Sequence, residues 1–210
     1  LDQDLNKSIE ESYLSEISFL KNEINYTINN LKKWMRPLTV PTPLTLFPSR
    51  SQICPEPLGV VLIISPWNYP FQLLISPLIG ALAAGNTAIL KPSEVSSHTA
   101  KLVFKLIQKI FKPEEVAVVE GAIKETQMLL EQPFDHIFYT GNATVAKIIM
   151  KKAAQHLTPV TLELGGKSPC FVFGEGNLSM TAKRIAWGKF FNCGQTCVAP
   201  DYILVEKKIR

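Results

Sequence analysis

The residue best suited to covalent chemistry is Cys197, which ends the segment Asn192-Cys-Gly-Gln-Thr-Cys197. A thiol whose surroundings favour the thiolate attacks carbonyl carbons and forms covalent intermediates. A single cysteine is more often structural, so a structural role stays open. Cys193 would share a face with Cys197 if the segment is helical, which adds a metal site or a redox pair as alternatives. The sequence has no CxxC pattern and no nearby histidine to support either alternative.

Two further side chains suit the chemistry of a carbonyl attacked by a thiol. Glu163 follows an apolar run and precedes a pair of glycines, where a flexible backbone lets a ligand come close. A carboxylate there can act as a general base on water, and a solvated strand-end residue is the alternative. Asn68 lies between two prolines and presents an amide donor from a stiff turn. Such a donor stabilises the oxyanion of a tetrahedral carbonyl, and simple turn formation is the alternative.

Polar residues that suit a nucleotide follow two other apolar runs. Lys91 and Glu94 come after a buried strand, where a cation and an acceptor can hold ribose hydroxyls. A helix N-cap at Ser93 is the alternative explanation. Gly141-Asn142 precedes a predicted helix whose first amides and dipole would attract phosphate. The GxGxxG pattern of many dinucleotide-binding turns is absent.

The elements that must position these residues are short apolar runs alternating with helical stretches. Such runs are apolar on both faces, and this predicts parallel pairing with crossover helices on both sides of the sheet. The expected fold class is therefore α/β, a doubly wound parallel sheet, in which ligands bind beyond the carboxyl ends of the strands. Strands are predicted over residues 58–64, 87–90, 116–119, 136–139, 160–162, 170–173 and 202–206, and helices over 71–84, 95–111, 124–131 and 143–154.

The N-terminal part of the chain has a different pattern. Apolar residues recur every three or four positions over residues 8–35 and predict one long amphipathic helix. Ser8 and Glu11 resemble a capping box at its start, and Pro37 ends it. Six prolines over residues 37–57 then predict an extended, helix-free connector.

Composition narrows the class of protein. The chain has 210 residues, of which 46% are hydrophobic, enough to bury a core and to exclude general disorder. A net charge of +4 without clustered Lys and Arg gives little basis for nucleic-acid binding. Four irregularly spaced cysteines and no signal peptide favour a reducing compartment, so we expect a cytoplasmic protein. Residues 57–90 carry no charge, but prolines, glycines and asparagines interrupt them too often for a membrane span, and they are predicted to form buried core.

Four segments, in this order, resemble the NAD(P)-dependent aldehyde dehydrogenases: Pro66-Trp-Asn-Tyr-Pro70, Lys91-Pro-Ser-Glu94, Leu162-Glu-Leu-Gly-Gly-Lys-Ser-Pro169 and Gly194-Gln-Thr-Cys197. The combination is highly specific, and the similarity covers essentially the whole chain. Within the family, Pro41-Thr-Pro43 and residues 134–142 and 192–202 are similar to the class 3, fatty-aldehyde branch.

The resemblance implies a role for each matched position. Cys197 would be the nucleophile, Glu163 the general base, and Asn68 with the backbone amide of Cys197 the oxyanion hole. The thiolate would add to an aldehyde, hydride would pass to a nicotinamide, and water would cleave the thioester to a carboxylate. The implied cofactor is NAD, with NADP as second choice, and the residues implied to bind it are Trp67, Lys91, Glu94, Gly141, Asn142, Ala143, Thr144, Val145, Ala146, Leu164 and Gly165. Within this set the adenosine ribose falls to Lys91 and Glu94, the pyrophosphate to 141–146 and the nicotinamide to Leu164 and Gly165.

The resemblance also implies how the chain is divided and where it departs from the family. It suggests an N-terminal helical part (1–36), a connector (37–57), a cofactor-binding domain (58–165) and the start of a second, catalytic α/β domain (166–210). Family members extend beyond both ends of this sequence, and they usually have a glycine where this chain has Ala146. The implied partners are a medium- or long-chain aliphatic or an aromatic aldehyde and, at full length, a second subunit in a homodimer. A membrane tail, known in some members, would lie outside this sequence.

Two other functions stay open from the residues alone. The first is a catalytically inactive fragment that binds nucleotide. The second is acyl transfer or ester hydrolysis by Cys197 without a nicotinamide cofactor.

Overall fold

The structure, a computed structural model, describes residues 1–209. It begins with a short helix, α1 (Asp2–Leu5), followed by α2 (Ile9–Ser12) and α3 (Ser18–Trp34). A π-helical turn, Tyr13–Ile17, joins α2 to α3, so the predicted long helix is confirmed as one continuous rod, which we call the N-terminal helix (residues 9–34). Its start is capped as expected on one side, because the Ser8 hydroxyl accepts the Glu11 amide N–H at 3.1 Å.

The proline-rich connector folds back on itself. Strands β1 (Leu38–Val40) and β2 (Ser51–Ile53) pair antiparallel, and a 3-10 turn, Leu44–Leu46, lies between them. The prediction of an extended connector is confirmed by the two strands, but the prediction that it is helix-free is wrong, because of the 3-10 turn. Proline fixes φ near −65°, a value that suits the entry to a helical turn as well as an extended chain, and Pro43 at the turn's start has φ −56°.

A five-stranded parallel sheet forms the centre of the molecule. Its strands are β3 (Val60–Ile64), β4 (Thr87–Lys91), β5 (Val116–Val118), β6 (His136–Gly141) and β7 (Val160–Leu164). Their spatial order is β5-β4-β3-β6-β7, and every neighbouring pair is parallel. The chain builds outward from β3 to β5 and then crosses to the other side of β3, so the connections diverge between β3 and β6.

Four helices cover the two faces of this sheet: α4 (Gln72–Ala83), α5 (Ser97–Ile110), α6 (Ile123–Leu130) and α7 (Ala143–Ala153). Strand β3 shows why both faces must be covered. Val61 and Ile63 pack with the α4 and α5 side chains, whereas Leu62 and Ile64 pack with those of α6 and α7. Each such side chain contributes roughly 1.5–3 kcal/mol when fully buried. The predicted doubly wound α/β fold is confirmed.

The charge-free segment at residues 57–90 forms β3, α4 and β4, as the prediction of buried core requires. Among residues 1–209, no helix is both long enough and apolar enough to cross a membrane.

The last part of the chain forms a separate two-stranded sheet. Strands β8 (Pro169–Val172) and β9 (Tyr202–Val205) pair parallel. They confirm the strands predicted over residues 170–173 and 202–206. A helix that sequence reasoning did not predict, α8 (Leu178–Phe190), lies between them, and the Asn177 side chain caps it by accepting the Met180 amide N–H at 3.0 Å.

Candidate active site

Asn68 lies in the turn that follows β3, and its side chain is tied to the segment that carries Cys197. The Asn68 Nδ2 donates to the Gln195 carbonyl oxygen at 2.7 Å. In return, the Asn192 Nδ2 donates to the Asn68 carbonyl oxygen at 2.8 Å. The structure therefore places Asn68 against the segment that carries Cys197, although more than a hundred positions separate them in the sequence.

The segment before Cys197 has an unusual backbone. Asn192, Cys193 and Gly194 have φ values of 51°, 54° and 77°, and a non-glycine residue in this left-handed region costs roughly 1–2 kcal/mol. Helix α8 ends at Phe190, so the expectation that Cys193 and Cys197 share a helical face is wrong. Both thiols are free and exposed. Among residues 1–209, no three His, Cys, Asp or Glu side chains are grouped to hold a metal ion.

Hydrogen bonds on both sides fix the backbone around the exposed Cys197. The Ser168 hydroxyl donates to the Cys197 carbonyl oxygen at 3.4 Å. The preceding residue, Thr196, has its Oγ1 2.6 Å from the hydroxyl of Tyr69. Burial raises the pKa of the Tyr69 hydroxyl above its usual range, while the Thr196 hydrogen bond acts in the opposite direction. Tyr69 is consequently a neutral hydroxyl at neutral pH.

Strand β7 extends to Leu164, two residues beyond its predicted end, so the prediction that Glu163 follows the strand is wrong: Glu163 is its second-last residue. It is exposed and pairs in register with Thr140 of β6, and no hydrogen bond or ion pair holds its carboxylate within the described part of the chain. The backbone after it approaches the nucleophile candidate, because a Cβ atom on Gly166 would lie 3.6 Å from the Cys197 carbonyl oxygen. Glu163 thus lies three residues before the point at which the chain, after leaving β7, comes close to the Cys197 backbone.

Lys91 ends β4 and is 2% exposed. Its Nζ donates to the Pro92 carbonyl oxygen at 2.8 Å and lies 3.8 Å from Glu94 Oε2. Burial lowers the pKa of the Lys91 ammonium, and the carboxylates of Glu94 and Glu125 oppose that effect. Lys91 and Glu94 thus lie together at the end of β4, and ribose binding by the two residues stays a prediction. The alternative, an N-cap at Ser93, is formed, because the Ser93 hydroxyl accepts the Val95 amide N–H at 3.3 Å.

Glu125, at the start of α6, is a charge near Lys91 that sequence reasoning missed. Its carboxylate accepts the Ala122 amide N–H at 2.8 Å, and this hydrogen bond is the main reason why the pKa of Glu125 is lowered. The sequence holds no capping-box signal for it, because the residue three positions earlier is Ala122, which has no side-chain acceptor.

The Gly141–Asn142 turn joins β6 to α7. The Asn142 Oδ1 accepts the Val145 amide N–H at 2.9 Å and so caps the helix. The Asn142 amide N–H donates to the Tyr139 hydroxyl at 3.0 Å, and a Cβ atom on Gly141 would collide with that tyrosine ring. The first residues of α7, Ala143 and Thr144, are exposed.

Ala146 lies differently from its neighbours. It is 2% exposed and packs in the core beside Leu62 and Ile149. Its methyl group therefore points into the protein rather than to the exposed side of the turn. Three other residues implied for the cofactor are accessible: Trp67 and Leu164 are each 38% exposed, and Gly165 is also exposed.

This edge of the molecule, with a doubly wound sheet behind it, defines an α/β protein of the Rossmann-like class. The chain belongs to the aldehyde dehydrogenase family, because residues 2–210 match the profile of that family.

Similar proteins agree with this assignment. The chain is 52% identical to aldehyde dehydrogenase family 3 member A2 of Macaca fascicularis over 207 residues. The alignment covers 99% of this chain and 43% of the relative. It is 50% identical to 4,4'-diaponeurosporen-aldehyde dehydrogenase of Staphylococcus aureus (99% and 45%) and to the mouse aldehyde dehydrogenase called dimeric NADP-preferring (100% and 46%). The substrate-bound structure of Staphylococcus aureus AldH superposes with a TM-score of 0.96 at 49% identity, covering all of this chain and 46% of that one. The chain spans less than half the length of the relatives it matches.

Proposed function

We propose that the protein, at its full natural length, oxidises an aldehyde to a carboxylate with NAD(P) as hydride acceptor, using Cys197 as nucleophile. The observation that carries the proposal is the hydrogen bond from Asn68 Nδ2 to the Gln195 carbonyl oxygen, two residues before Cys197. An amide nitrogen carries two N–H groups, and this bond uses one, so the other is available to a developing oxyanion beside the thiol.

The chemistry of the chain's own residues follows from this arrangement. The Cys197 thiolate forms a bond to the aldehyde carbon, and the carbonyl electron pair moves to oxygen, where Asn68 and the Cys197 amide N–H stabilise the negative charge. NAD(P), when bound, supplies the acceptor for the hydride whose loss turns this adduct into a thioester. Glu163 then takes a proton from water, the hydroxide attacks the thioester carbonyl, and the thiolate of Cys197 leaves. The exposure of the Glu163 carboxylate supports access of that water.

The residues present fit a dinucleotide. The start of α7 offers backbone amides at the small, exposed residues Ala143 and Thr144, where a phosphate can approach the helix N-terminus. Lys91 and Glu94 supply a cation and a carboxylate for ribose hydroxyls. Trp67, Asn142, Val145, Leu164 and Gly165 complete the proposed cofactor surface, whereas the side chain of Ala146 lies in the core and takes no part in it.

NAD is the preferred cofactor in this proposal. Glu94 lies at the ribose end, and its carboxylate repels the 2′-phosphate that distinguishes NADP. The mouse relative named NADP-preferring supports NADP as the second choice.

The proposed substrate is a medium- or long-chain aliphatic or an aromatic aldehyde. The name of the Staphylococcus aureus relative, which acts on 4,4'-diaponeurosporen-aldehyde, supports a large apolar aldehyde. We further propose a homodimer, supported by the word dimeric in the mouse relative's name. A cytoplasmic location is supported by four free cysteines.

The test is NAD(P)H formation by the protein at its full natural length with hexanal, dodecanal and benzaldehyde. We expect turnover that disappears in Cys197→Ala, because the alanine variant has no nucleophile. Cys193→Ala is the matched control and should keep its activity. Turnover that survives in Cys197→Ala, or none with any aldehyde in the folded wild type, would refute the proposal.

The 210-residue chain by itself supports a second candidate, a nucleotide-binding fragment without turnover. The observation that favours the absence of turnover is the exposure of β9, the strand that follows Cys197. Its four residues are all 43–50% exposed although they are apolar, so the part of the chain beyond the nucleophile is poorly packed. Calorimetry with NAD on the folded chain would detect this binding, and no heat at saturating NAD would remove the candidate.

A further inference from the structure

A buried carboxylate of the N-terminal helix, that of Glu16, binds the backbone directly after the turn that carries Asn68. Glu16 is 0% exposed, and its Oε2 accepts the amide N–H groups of Phe71 at 2.9 Å and Gln72 at 3.1 Å. These are the first backbone donors after the turn. Its Oε1 accepts from Lys7 Nζ at 2.6 Å.

Lys7 continues the contact towards the nucleophile. Its side chain is 1% exposed, and its Nζ lies 4.4 Å from the centre of the Tyr69 ring. The hydroxyl of Tyr69 is in turn 2.6 Å from Thr196 Oγ1, next to Cys197. The Lys7–Glu16 ion pair therefore contacts Tyr69, the residue after Asn68. Through the Tyr69 hydroxyl it is also connected to Thr196, the residue before Cys197.

Glu11 adds a second connection from the same helix. Its Oε1 accepts the amide N–H of Asn192 at 2.6 Å. Asn192 is the residue in left-handed conformation whose Nδ2 donates to the Asn68 carbonyl oxygen. The N-terminal helix thus binds the backbone close to both partners of the Asn68–Gln195 contact, at Phe71 and Gln72 on one side and at Asn192 on the other.

We propose that Glu16, paired with Lys7, is a positioning residue for aldehyde oxidation that fixes the Asn68 amide relative to Cys197. The proposal rests on the proposed function. Two desolvated charges are no better for stability than apolar side chains of the same size, whereas their directional hydrogen bonds hold a turn in one place. An oxyanion donor must be held in this way, because a displacement of about 1 Å costs on the order of 100-fold in rate.

The first test is Glu16→Gln in the protein at its full natural length. Glutamine keeps the shape but has one acceptor oxygen and no charge, so it cannot serve both backbone amides and the Lys7 ammonium. We expect kcat for aldehyde oxidation to fall roughly 10- to 100-fold. The KM for NAD should not change, because none of the contacts of Glu16 reaches Lys91 or residues 141–146.

A double-mutant cycle asks whether Glu16 acts through Asn68. If it does, Glu16→Gln should add little to the loss already caused by Asn68→Ala, since the group to be positioned has gone. Losses that multiply in the double variant would show that Glu16 does not work through Asn68 and would overturn the proposal.

Glu23→Gln is the matched control. Glu23 lies on the same helix and also contacts α4, where its Oε1 accepts the Ser76 hydroxyl at 2.9 Å. That contact lies away from the Asn68 turn, so Glu23→Gln should keep the kcat of the wild type. A loss as large as that of Glu16→Gln would indicate a general packing effect and would refute the positioning role.

Removing one partner of a buried ion pair leaves an unpaired charge, and Glu16→Gln could fail to fold for that reason. The double variant Lys7→Met, Glu16→Gln removes both charges and keeps the test open. We expect it to fold and to have a lowered kcat, and wild-type kcat in this variant would overturn the proposal. A wild type that oxidises no aldehyde refutes the proposed function itself, whereas an active wild type with an equally active Glu16→Gln refutes only the positioning role.

Discussion

At the scale of single residues, the turn after β6 depends on the absence of a side chain at position 141. The Tyr139 ring lies where a Cβ atom on Gly141 would be, and Tyr139 is itself 5% exposed, so the ring has no room to move. Its hydroxyl also accepts the Asn142 amide N–H. The tyrosine thus fixes the backbone at the start of α7, and only glycine at position 141 leaves room for its ring.

Gly141→Ala should therefore destabilise the fold by about 1–3 kcal/mol, the usual cost of an added methyl group in a filled space. Urea denaturation would measure this as a lower midpoint at unchanged slope. Gly80→Ala is the control. Nothing lies within 4 Å of a Cβ atom at Gly80, which is in α4, so alanine there should stabilise by up to about 1 kcal/mol through helix propensity. Equal stability of both variants would contradict this account of the turn.

The active-site residues show what can be predicted from a sequence and what cannot. Asn68, Lys91, Glu94 and Cys197 follow strands or form recognisable segments, so the residue types and their order along the chain are informative by themselves. Glu16 is not predictable in this way, because its partners, Phe71 and Gln72, lie 55 and 56 positions away along the chain. The packing of the N-terminal helix on α4 decides that contact, and no local pattern encodes it.

At the scale of elements, the central sheet was predictable because its strands are apolar on both faces and alternate with helices. The hairpin of β1 and β2 was not, since each strand has three residues and their pairing is decided by the turn between them. Helix α8 was also missed. It contains Thr181 and Gly188, both poor helix formers, and none of its residues is buried in the described part of the chain.

Helix α5 is capped by a residue from far away in the sequence. The Asp4 carboxylate accepts the amide N–H groups of His98 at 3.0 Å and Thr99 at 2.7 Å, together with the Thr99 hydroxyl at 2.6 Å. Burial raises the pKa of Asp4, but these hydrogen bonds outweigh burial and lower the pKa below its usual value. Short helix α1 is held to the sheet domain by this cap.

Asp4→Ala should cost about 0.5–2 kcal/mol at neutral pH, the usual value of an N-cap. Because the folded protein lowers the pKa of Asp4, its stabilisation is complete above the ordinary carboxyl pKa and disappears as pH falls through the lowered value. The difference between wild type and Asp4→Ala in urea should therefore shrink in acid. Asp2→Ala, at an exposed position of the same helix, should be close to the wild type at every pH. A difference that stays constant with pH would contradict the cap.

At the scale of the whole molecule, the two sheets differ in how well they are covered. The five-stranded sheet has helices on both faces, whereas within residues 1–209 β9 pairs with β8 alone and leaves its other edge open. Residues of β8, α8 and β9 also line an apolar cavity of about 480 Å³. An open strand edge beside apolar surface is a site for pairing with another chain.

We therefore expect the 210-residue chain, prepared alone, to self-associate through β9. Leu204→Lys should reduce this association, because Leu204 is apolar and 46% exposed on the edge strand, and lysine on an edge disfavours pairing. Leu44→Lys is the matched control: Leu44 is 91% exposed and lies in the 3-10 turn of the connector, outside the β8–β9 sheet, and its replacement should leave association unchanged. Light scattering over a concentration series would measure both. If both lysine variants associate less than the wild type by the same amount, added charge in general controls assembly. If neither variant differs from the wild type, β9 does not mediate assembly, and either result contradicts the role assigned to the open edge.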